Sequence, residues 1–380
     1  MTTQLRVMAT PSPAVGHFFP MVPFLWALRA AGHDVRVAVP AFFAGTVLQS
    51  GLPVIATAPA SETAAAQTGP DTQEDLEPGT VATYRRLGRV AQMMQSDIDR
   101  VVEQWRPHLV IADPMEYTGR RAAAVHGLPH VEHWIGQALP EAPLTEAAHD
   151  LFGPECKTWP GIAGNPSFAQ IDPCPPAFQQ PGAAAGIRTR YVPYNGPALL
   201  PEWLSQRDSD RPRVLITLGT IISQSEEAPQ LLSRAVDAAA ALDAEVVVAG
   251  NKKAMPADVT SRVRAAQWLP IGLAAQHFDL VVHHGGSGTT MSSLAHGVPQ
   301  VACPSILDQD ANATRLEETG TGRRVTHSAA LHTHALDEAV EQVLRDATFT
   351  RAAAAMRAQN HAAQPPAEAV RQLLRRFDER

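Results

Sequence analysis

Val281-Val-His-His-Gly-Gly-Ser-Gly-Thr-Thr-Met291 is the stretch from which the rest of the chain can be read. Asp279-Leu280-Val281-Val282 begins a short apolar run of the kind that forms a buried parallel strand. The run ends in two histidines and two glycines, after which Ser287, Gly288 and Thr289 open an apolar-periodic segment (Met291, Leu294, Ala295) that predicts a helix. Strand, glycine turn and helix N-terminus together direct free backbone N–H groups and the positive end of a helix dipole at one small volume. Glycines let a phosphate come close to the backbone, and a hydroxyl and an imidazole beside them add donors. The stretch therefore predicts a diphosphate cradle, with a tight strand-to-helix turn holding no ligand as the alternative. No Gly-Lys-Ser/Thr follows the glycines, so it is not a P-loop.

The 380 residues are enough for two domains, each with its own core, and 45% hydrophobic with 18% charged residues suits an α/β protein. Thirty-eight acids against 31 bases give a net charge of -7 with no basic block, which argues against a nucleic-acid partner. Cys156, Cys174 and Cys303 are an odd, unpatterned set, as expected of a reduced compartment and of no zinc site. Met1 to Met8 run straight into a strand and no long apolar stretch follows, so no membrane partner and a cytoplasmic location are expected.

In the amino-terminal half, Leu5–Ala9 reads as a strand, Thr10 to His17 as a loop, Phe18 to Leu28 as a helix stopped by Gly32, and Asp34–Ala38 as the next strand. This is a βαβ unit and hence parallel sheet. The loop lacks Gly-x-Gly-x-x-Gly, so it does not point to a dinucleotide, but it places His17 just past a strand's carboxyl end, where ligands sit in open α/β sheets. Leu109-Val-Ile-Ala-Asp113-Pro114 puts Asp113 in the same kind of position. A carboxylate on one imidazole nitrogen fixes the tautomer and raises the basicity of the other. Alternatively, His17 is a cap or a packed side chain and Asp113 caps the helix from Tyr117. Residues 61–80 read as a mobile loop, Val81 to Trp105 as a helix, and Pro129–Trp134 as a strand. From Pro140 periodicity collapses among prolines; Phe152, Trp159, Phe168 and Phe178 there could wall an acceptor pocket.

The pattern restarts at Arg213-Val-Leu-Ile-Thr-Leu-Gly219-Thr220, followed by a helix (Leu231 to Ala241), the strand Glu245–Ala249, Trp268-Leu269-Pro270, the diphosphate stretch, the strand Gln300–Cys303 and Asp308-Gln309-Asp310. A second doubly wound domain is expected, with its polar features at strand carboxyl ends. Thr220 can donate to a phosphate. Trp268 offers a flat face to a nucleobase, though such a residue is more often core or interface. Asp308 and Gln309 offer an acceptor and an amide for vicinal sugar hydroxyls, though an Asp here is more often a helix cap. Around one diphosphate site they describe a nucleotide sugar.

Gly16-His17-Phe-Phe-Pro20, Gly32-His33, Ile111-Ala-Asp113, Trp268-Leu-Pro270, His283-His-Gly-Gly-Ser-Gly-Thr289 and Asp308-Gln309 together resemble the two-domain GT-B glycosyltransferases of bacterial natural-product biosynthesis. The likeness is to the actinobacterial enzymes that decorate macrolide, enediyne and aromatic polyketide antibiotics. It spans most of the chain apart from residues near 60–90 and 140–190. The resemblance implies an α/β fold of two facing Rossmann-like domains with parallel sheets, and leaves room for the carboxy-terminal helix to pack back on the first. Residues 1–195 would bind the acceptor, with 140–195 as lid and linker, and residues 196–380 the nucleotide sugar. By the same resemblance, His17 would be the general base and Asp113 its orienting partner. His284, Gly286, Ser287, Gly288, Thr289 and Thr220 would hold the diphosphate, leaving His283 as a strand residue. Trp268 would stack on the base, Leu269 would meet its edge through the backbone, and Asp308 with Gln309 would hold the sugar.

The implied reaction is inverting and metal-independent, with no cofactor: a nucleoside diphosphate sugar, dTDP-linked in preference to UDP-linked, is co-substrate and a small-molecule aglycone is acceptor. A homodimer is compatible with the sequence. Asp308-Gln-Asp310 and Asp97-Ile-Asp99 spell the Asp-x-Asp of metal-dependent enzymes, but so short a match arises easily by chance. A nucleotide-sugar 2-epimerase and a non-catalytic helper homologue are the rival readings. The first needs carboxylates at the sugar C2, and the second sits poorly with intact His17, Asp113, His284 and Thr289.

Overall fold

The structure, a computed structural model, describes residues 4–57, 81–207, 210–219, 223, 225–250, 255–305 and 307–380. The expected loop over 61–80 and the expected phosphate donor Thr220 lie outside the described residues. Two compact units are formed: Met1–Cys174 with Gln180–Arg190 and Ala363–Arg380, and Pro175–Gln179 with Tyr191–Ala362.

The first unit runs β1 (Arg6–Thr10), α1 (Val15–Ala30), β2 (Asp34–Pro40), α2 (Ala44–Gln49), β3 (Val54–Thr57), α3 (Val81–Trp105), β4 (Leu109–Ala112), α4 (Thr118–His126), β5 (His130–His133), α5 (Glu141–Phe152), β6 (Ala169–Asp172) and β7 (Ile187–Arg188). Its sheet has the order β3-β2-β1-β4-β5-β6-β7 with every pairing parallel. β4 is buried along its whole length, which is why it reads as an unbroken apolar run and not as an alternation. Helix α3 closes one face with a stripe at four-residue spacing, Val90, Met94, Ile98 and Val102, packed over Met8, Ala38 and Val110. At ~1.5–3 kcal/mol for each buried apolar side chain, that stripe fixes the helix on the sheet far more firmly than its intrinsic helix propensity.

The second unit runs β8 (Arg213–Thr217), α6 (Ala228–Ala240), β9 (Glu245–Ala249), α7 (Ala257–Arg262), β10 (Ala265–Gln267), α8 (Ile271–Ala274), β11 (Leu280–His283), α9 (Ser287–His296), β12 (Gln300–Ala302), α10 (Leu307–Glu318), β13 (Gly322–Arg324), α11 (His327–His332), α12 (Ala335–Arg345) and α13 (Ala347–Ala362). Its six-stranded sheet has the order β10-β9-β8-β11-β12-β13, again with parallel pairings.

Two features depart from the sequence reading, and a third, for which it left room, moves its domain bounds. Helix α1 begins at Val15, so His17 sits in its first turn and not in the preceding loop. Segment 140–195 holds more order than its prolines suggest: Pro140 precedes α5 and Pro143 lies in its first turn, where a missing N–H costs little, and β6 and β7 extend the sheet. The last helix, α14 (Pro366–Asp378), belongs to the first unit, where its stripe of Ala369, Val370 and Leu373 is buried and it packs against α1. A division at 195/196 would therefore leave α14 with the wrong sheet.

Candidate active site

Each sheet reverses its strand order once, between β1 and β4 in the first unit and between β8 and β11 in the second. The crevice at such a reversal is where open α/β sheets bind ligands. Thr10 pairs with Ala112 in register, so the chains leaving β1 and β4 run side by side. This brings together two residues 96 positions apart: His17 Nδ1 lies 2.8 Å from Asp113 Oδ1. Asp113 is fully buried and also receives the Ser12 N–H on Oδ2 at 2.5 Å, the Ser12 hydroxyl at 3.2 Å and the Met115 N–H at 3.0 Å. Burial alone would raise its pKa, but His17 and the Ser12 and Met115 amides outweigh burial and hold it below the usual carboxylate range. An ionised carboxylate only accepts, so Nδ1 of His17 carries the proton and Nε2 is the basic nitrogen.

Asp113 does not cap α4; Glu116 does. Its buried carboxylate accepts from Thr118 N–H at 2.5 Å and Gly119 N–H at 2.7 Å, and from the Thr10 hydroxyl at 2.9 Å. Burial, with some help from Asp113, lifts its pKa to about 7 against these hydrogen bonds. Buried Arg120 binds the same turn from behind, donating to the carbonyls of Pro114 and Glu116 and pairing with Glu132 at 2.5 Å. Composition gave no hint of Glu116, because a buried acid inside Met-Glu-Tyr looks like any helix-start residue.

None of the four aromatics expected to wall an acceptor pocket lines the cavity found in the first unit, and three of them are buried in the core. Phe152 packs on Tyr117 and Trp159, Phe178 is buried, and Phe168 meets Phe377 at 6.4 Å between ring centres. Phe152, Trp159 and Phe178 are core residues, and Phe168 is half-buried against the last helix. The cavity has a volume of about 330 Å³ and its lining includes Tyr84, Pro114, Trp134, Leu144, Asn165 and Gln170.

In the second unit His283 pairs with Thr217 in register, so the turns after β8 and β11 lie together. His284 is held between them. A Cβ on Gly219, whose φ is +67°, would stand 2.5 Å from its Cε1, and a Cβ on Gly286 would collide with its Nε2. These glycines make room for the imidazole itself. Burial lowers His284 to about 4, against Asp308 and the Thr217 backbone, and its Nδ1 is buried without a hydrogen-bond partner. His283 points elsewhere: its Nδ1 accepts the Gly285 N–H at 2.9 Å, and burial lowers it to about 3. Helix α9 starts at Ser287 with Gly286 as its cap, and its first intrahelical bond is Thr290 N–H to Gly286 carbonyl. The amides of Ser287, Gly288 and Thr289 precede that ladder. Above Gly288 is open space, with nothing within 4 Å of a Cβ placed there.

The Ser287 hydroxyl is already engaged: it donates to Asp308 Oδ2 at 2.7 Å and receives the Asn312 amide at 3.0 Å, which also reaches the Gly285 carbonyl at 2.9 Å. Asn312 thus ties α10 to the glycine turn, a role the sequence reading missed. Gln309 is buried and its Oε1 takes the Ser305 N–H at 3.0 Å. Trp268 follows β10 with 56% of its surface exposed, and Leu269 beside it is buried. Both Asp-x-Asp matches have protein partners: Asp310 pairs with Arg324, Asp97 with Arg100, and Asp99 with Arg121 and His126.

The family models of the erythromycin biosynthesis protein CIII-like N-terminal and C-terminal domains match residues 26–219 and 233–375. The chain belongs to the erythromycin biosynthesis protein CIII-like family. It is an antibiotic-type glycosyltransferase with the GT-B fold. Among relatives, the L-demethylnoviosyl transferase of Streptomyces niveus is 36% identical over 85% of this chain and 86% of its own length. The elloramycin glycosyltransferase ElmGT of Streptomyces olivaceus is 34% identical over 92% and 91%. The solved spinosyn rhamnosyltransferase SpnG superposes with a TM-score of 0.82 at 30% identity, covering 97% of this glycosyltransferase and all of SpnG; SpnG has also been solved with thymidine diphosphate and with spinosyn aglycone. Asp113 lies inside the matched N-terminal domain, whereas His17 lies upstream of its first matched residue. Among the described residues no helix of the glycosyltransferase is long and apolar enough to cross a membrane.

Proposed function

We propose that this glycosyltransferase transfers a deoxysugar from a dTDP-sugar to a hydroxyl of a polyketide-like aglycone, with inversion and without a metal. The observation that carries the reading is the His17–Asp113 pair at the β1/β4 reversal. The acceptor O–H gives its proton to Nε2 of His17 while Nδ1–H stays on Asp113. The acceptor oxygen forms the new bond to the anomeric carbon as the bond from that carbon to the diphosphate oxygen breaks, and attack from the side opposite the leaving group inverts the centre. Such general-base assistance is typically worth ~10²–10⁴-fold.

The departing diphosphate gains negative charge, which the amides opening α9, the helix dipole and the His284 N–H are suited to take up. His284 is neutral near pH 7 and can donate without being charged beforehand. Metal independence is supported by the engaged state of Asp308 and Asp310. The dTDP donor and polyketide-like acceptor rest on SpnG's complexes with thymidine diphosphate and aglycone, and on Trp268, exposed and able to stack on a base. The cavity of about 330 Å³ in the first unit, within the size range of small-ligand sites, is the candidate acceptor volume. The test is His17→Ala: kcat with an alcohol acceptor should fall ~10²–10⁴-fold while dTDP still raises the melting temperature. Undiminished turnover of the alcohol would refute the base assignment.

A further inference from the structure

We propose that Glu116 is a positioning residue for the His17–Asp113 pair, acting through Thr10 and the backbone that leads from it to Ser12. The inference rests on the reading of His17 as base. One carboxylate gathers the first two amides of α4 and the hydroxyl at the last residue of β1, so it staples the end of that strand to the start of the helix. Two residues on, Ser12 donates both its N–H and its hydroxyl to Asp113, which holds Nδ1 of His17. The chain of contacts from α4 through Glu116, Thr10, Ser12 and Asp113 to His17 is broken only by the covalent step across Pro11.

The space for the staple is reserved. A Cβ on Gly119 would collide with the Thr10 hydroxyl and stand 3.0 Å from Glu116 Oε2, so a residue with any side chain there would push strand end and helix start apart. Arg120 fixes the same turn through the Pro114 and Glu116 carbonyls, which leaves the Glu116 side chain to set where Thr10 lies relative to α4. Glutamine cannot replace it: amides point at both carboxylate oxygens, so the –NH₂ of a glutamine must face an N–H donor in either orientation.

The experiment is Glu116→Gln alone and in a His17→Ala background, with kcat and KM for an alcohol acceptor and dTDP-sugar. Glu116→Gln should lower kcat at least tenfold with the donor KM unchanged, should lose much less on a phenolic acceptor that ionises unaided, and should cost nothing further once His17 is gone. Thr10→Val should repeat the effect and Thr10→Ser should spare it, which keeps the proposal testable if Glu116→Gln does not fold. An unchanged kcat in folded Glu116→Gln and Thr10→Val would overturn the proposal. So would an equal loss in the His17→Ala background, the mark of general structural damage. Failure of the base reading looks different: His17→Ala itself would then keep full turnover.

Discussion

Replacing Gly288 by alanine should stabilise the free protein and weaken its hold on nucleotide, a pair of opposite signs that few other substitutions would give. Gly288 is the second residue of α9, its φ is not positive, and a Cβ there meets nothing within 4 Å. Alanine in a helix is favoured over glycine by ~0.5–1 kcal/mol, largely because the unfolded chain loses freedom. For a unit of this size each kcal/mol moves the melting temperature by roughly 2–4 °C, so the ligand-free protein should melt about 1–4 °C higher. The same open space is where the proposed reading puts the diphosphate. dTDP at 100 times its Kd should add ~2.7 kcal/mol to the wild type. If the methyl weakens binding tenfold, the same dTDP concentration stands at only ten times Kd and adds ~1.4 kcal/mol, so the ligand-induced shift is about halved. Scanning calorimetry with and without dTDP reads both signs in one experiment. A ligand-induced shift as large as in the wild type, beside the expected gain without ligand, would refute the placement of the diphosphate at this helix start. A loss of ligand-free stability would refute the helical account of Gly288.

Gly219→Ala should lower both measures, reversing the stability change of Gly288→Ala and sharing its loss of nucleotide binding. The φ of +67° at Gly219 costs a side chain ~1–2 kcal/mol, and the added methyl displaces the His284 ring, so the melting temperature should fall and dTDP should bind more weakly by titration calorimetry. Acid should destabilise the second unit through its two buried histidines. Both are neutral in the fold, at about 3 for His283 and about 4 for His284, while an unfolded histidine titrates near 6.5. Their contribution is complete above pH 6.5 and is lost as the pH falls toward those folded values, roughly 2 kcal/mol for each at pH 5. Denaturant melts at pH 7.5 and pH 5 check this, and equal midpoints would show that these imidazoles do not titrate as described.

What could be read from the sequence follows from how parallel sheets are built. Strands covered on both faces must be apolar along their length, so the first polar residue after each run marks the strand's carboxyl end and hence the crevice. That logic put Asp113 and His284 directly after β4 and β11, whose burial at every position makes the strand ends legible. It could not show that β1 lies beside β4 and β8 beside β11, which is a matter of strand order and alone turns His17 and Asp113 into a pair. Segment 140–195 hid its helix because Pro140 and Pro143 mask a start they are compatible with, and hid its strands because four and two residues are too few to show a period. Asn312 was hidden for another reason: within a helix its amide carries no signature, and only the fold brings it to the Gly285 carbonyl.

The two reversal points carry opposite electrostatics, and the proposed chemistry gives each a reason. The first keeps carboxyl groups under its imidazole: Asp113 ionised against His17, and Glu116 buried beside it. Negative charge there favours an imidazolium, which is the product of taking a proton from the acceptor. The second must receive an anion, and there a bare carboxylate would repel it. There Asp308 is occupied by the Ser287 hydroxyl, the two histidines are neutral, and glycine backbone opens the helix. Placing an acid at Gly288 would set a further negative charge against the growing charge of the diphosphate, and removing the Ser287 hydroxyl would leave the Asp308 oxygen without its donor. The Ser287–Asp308 hydrogen bond, found in neither residue's expected role, engages one oxygen of that aspartate and so lessens the cost of an acid beside an anion site.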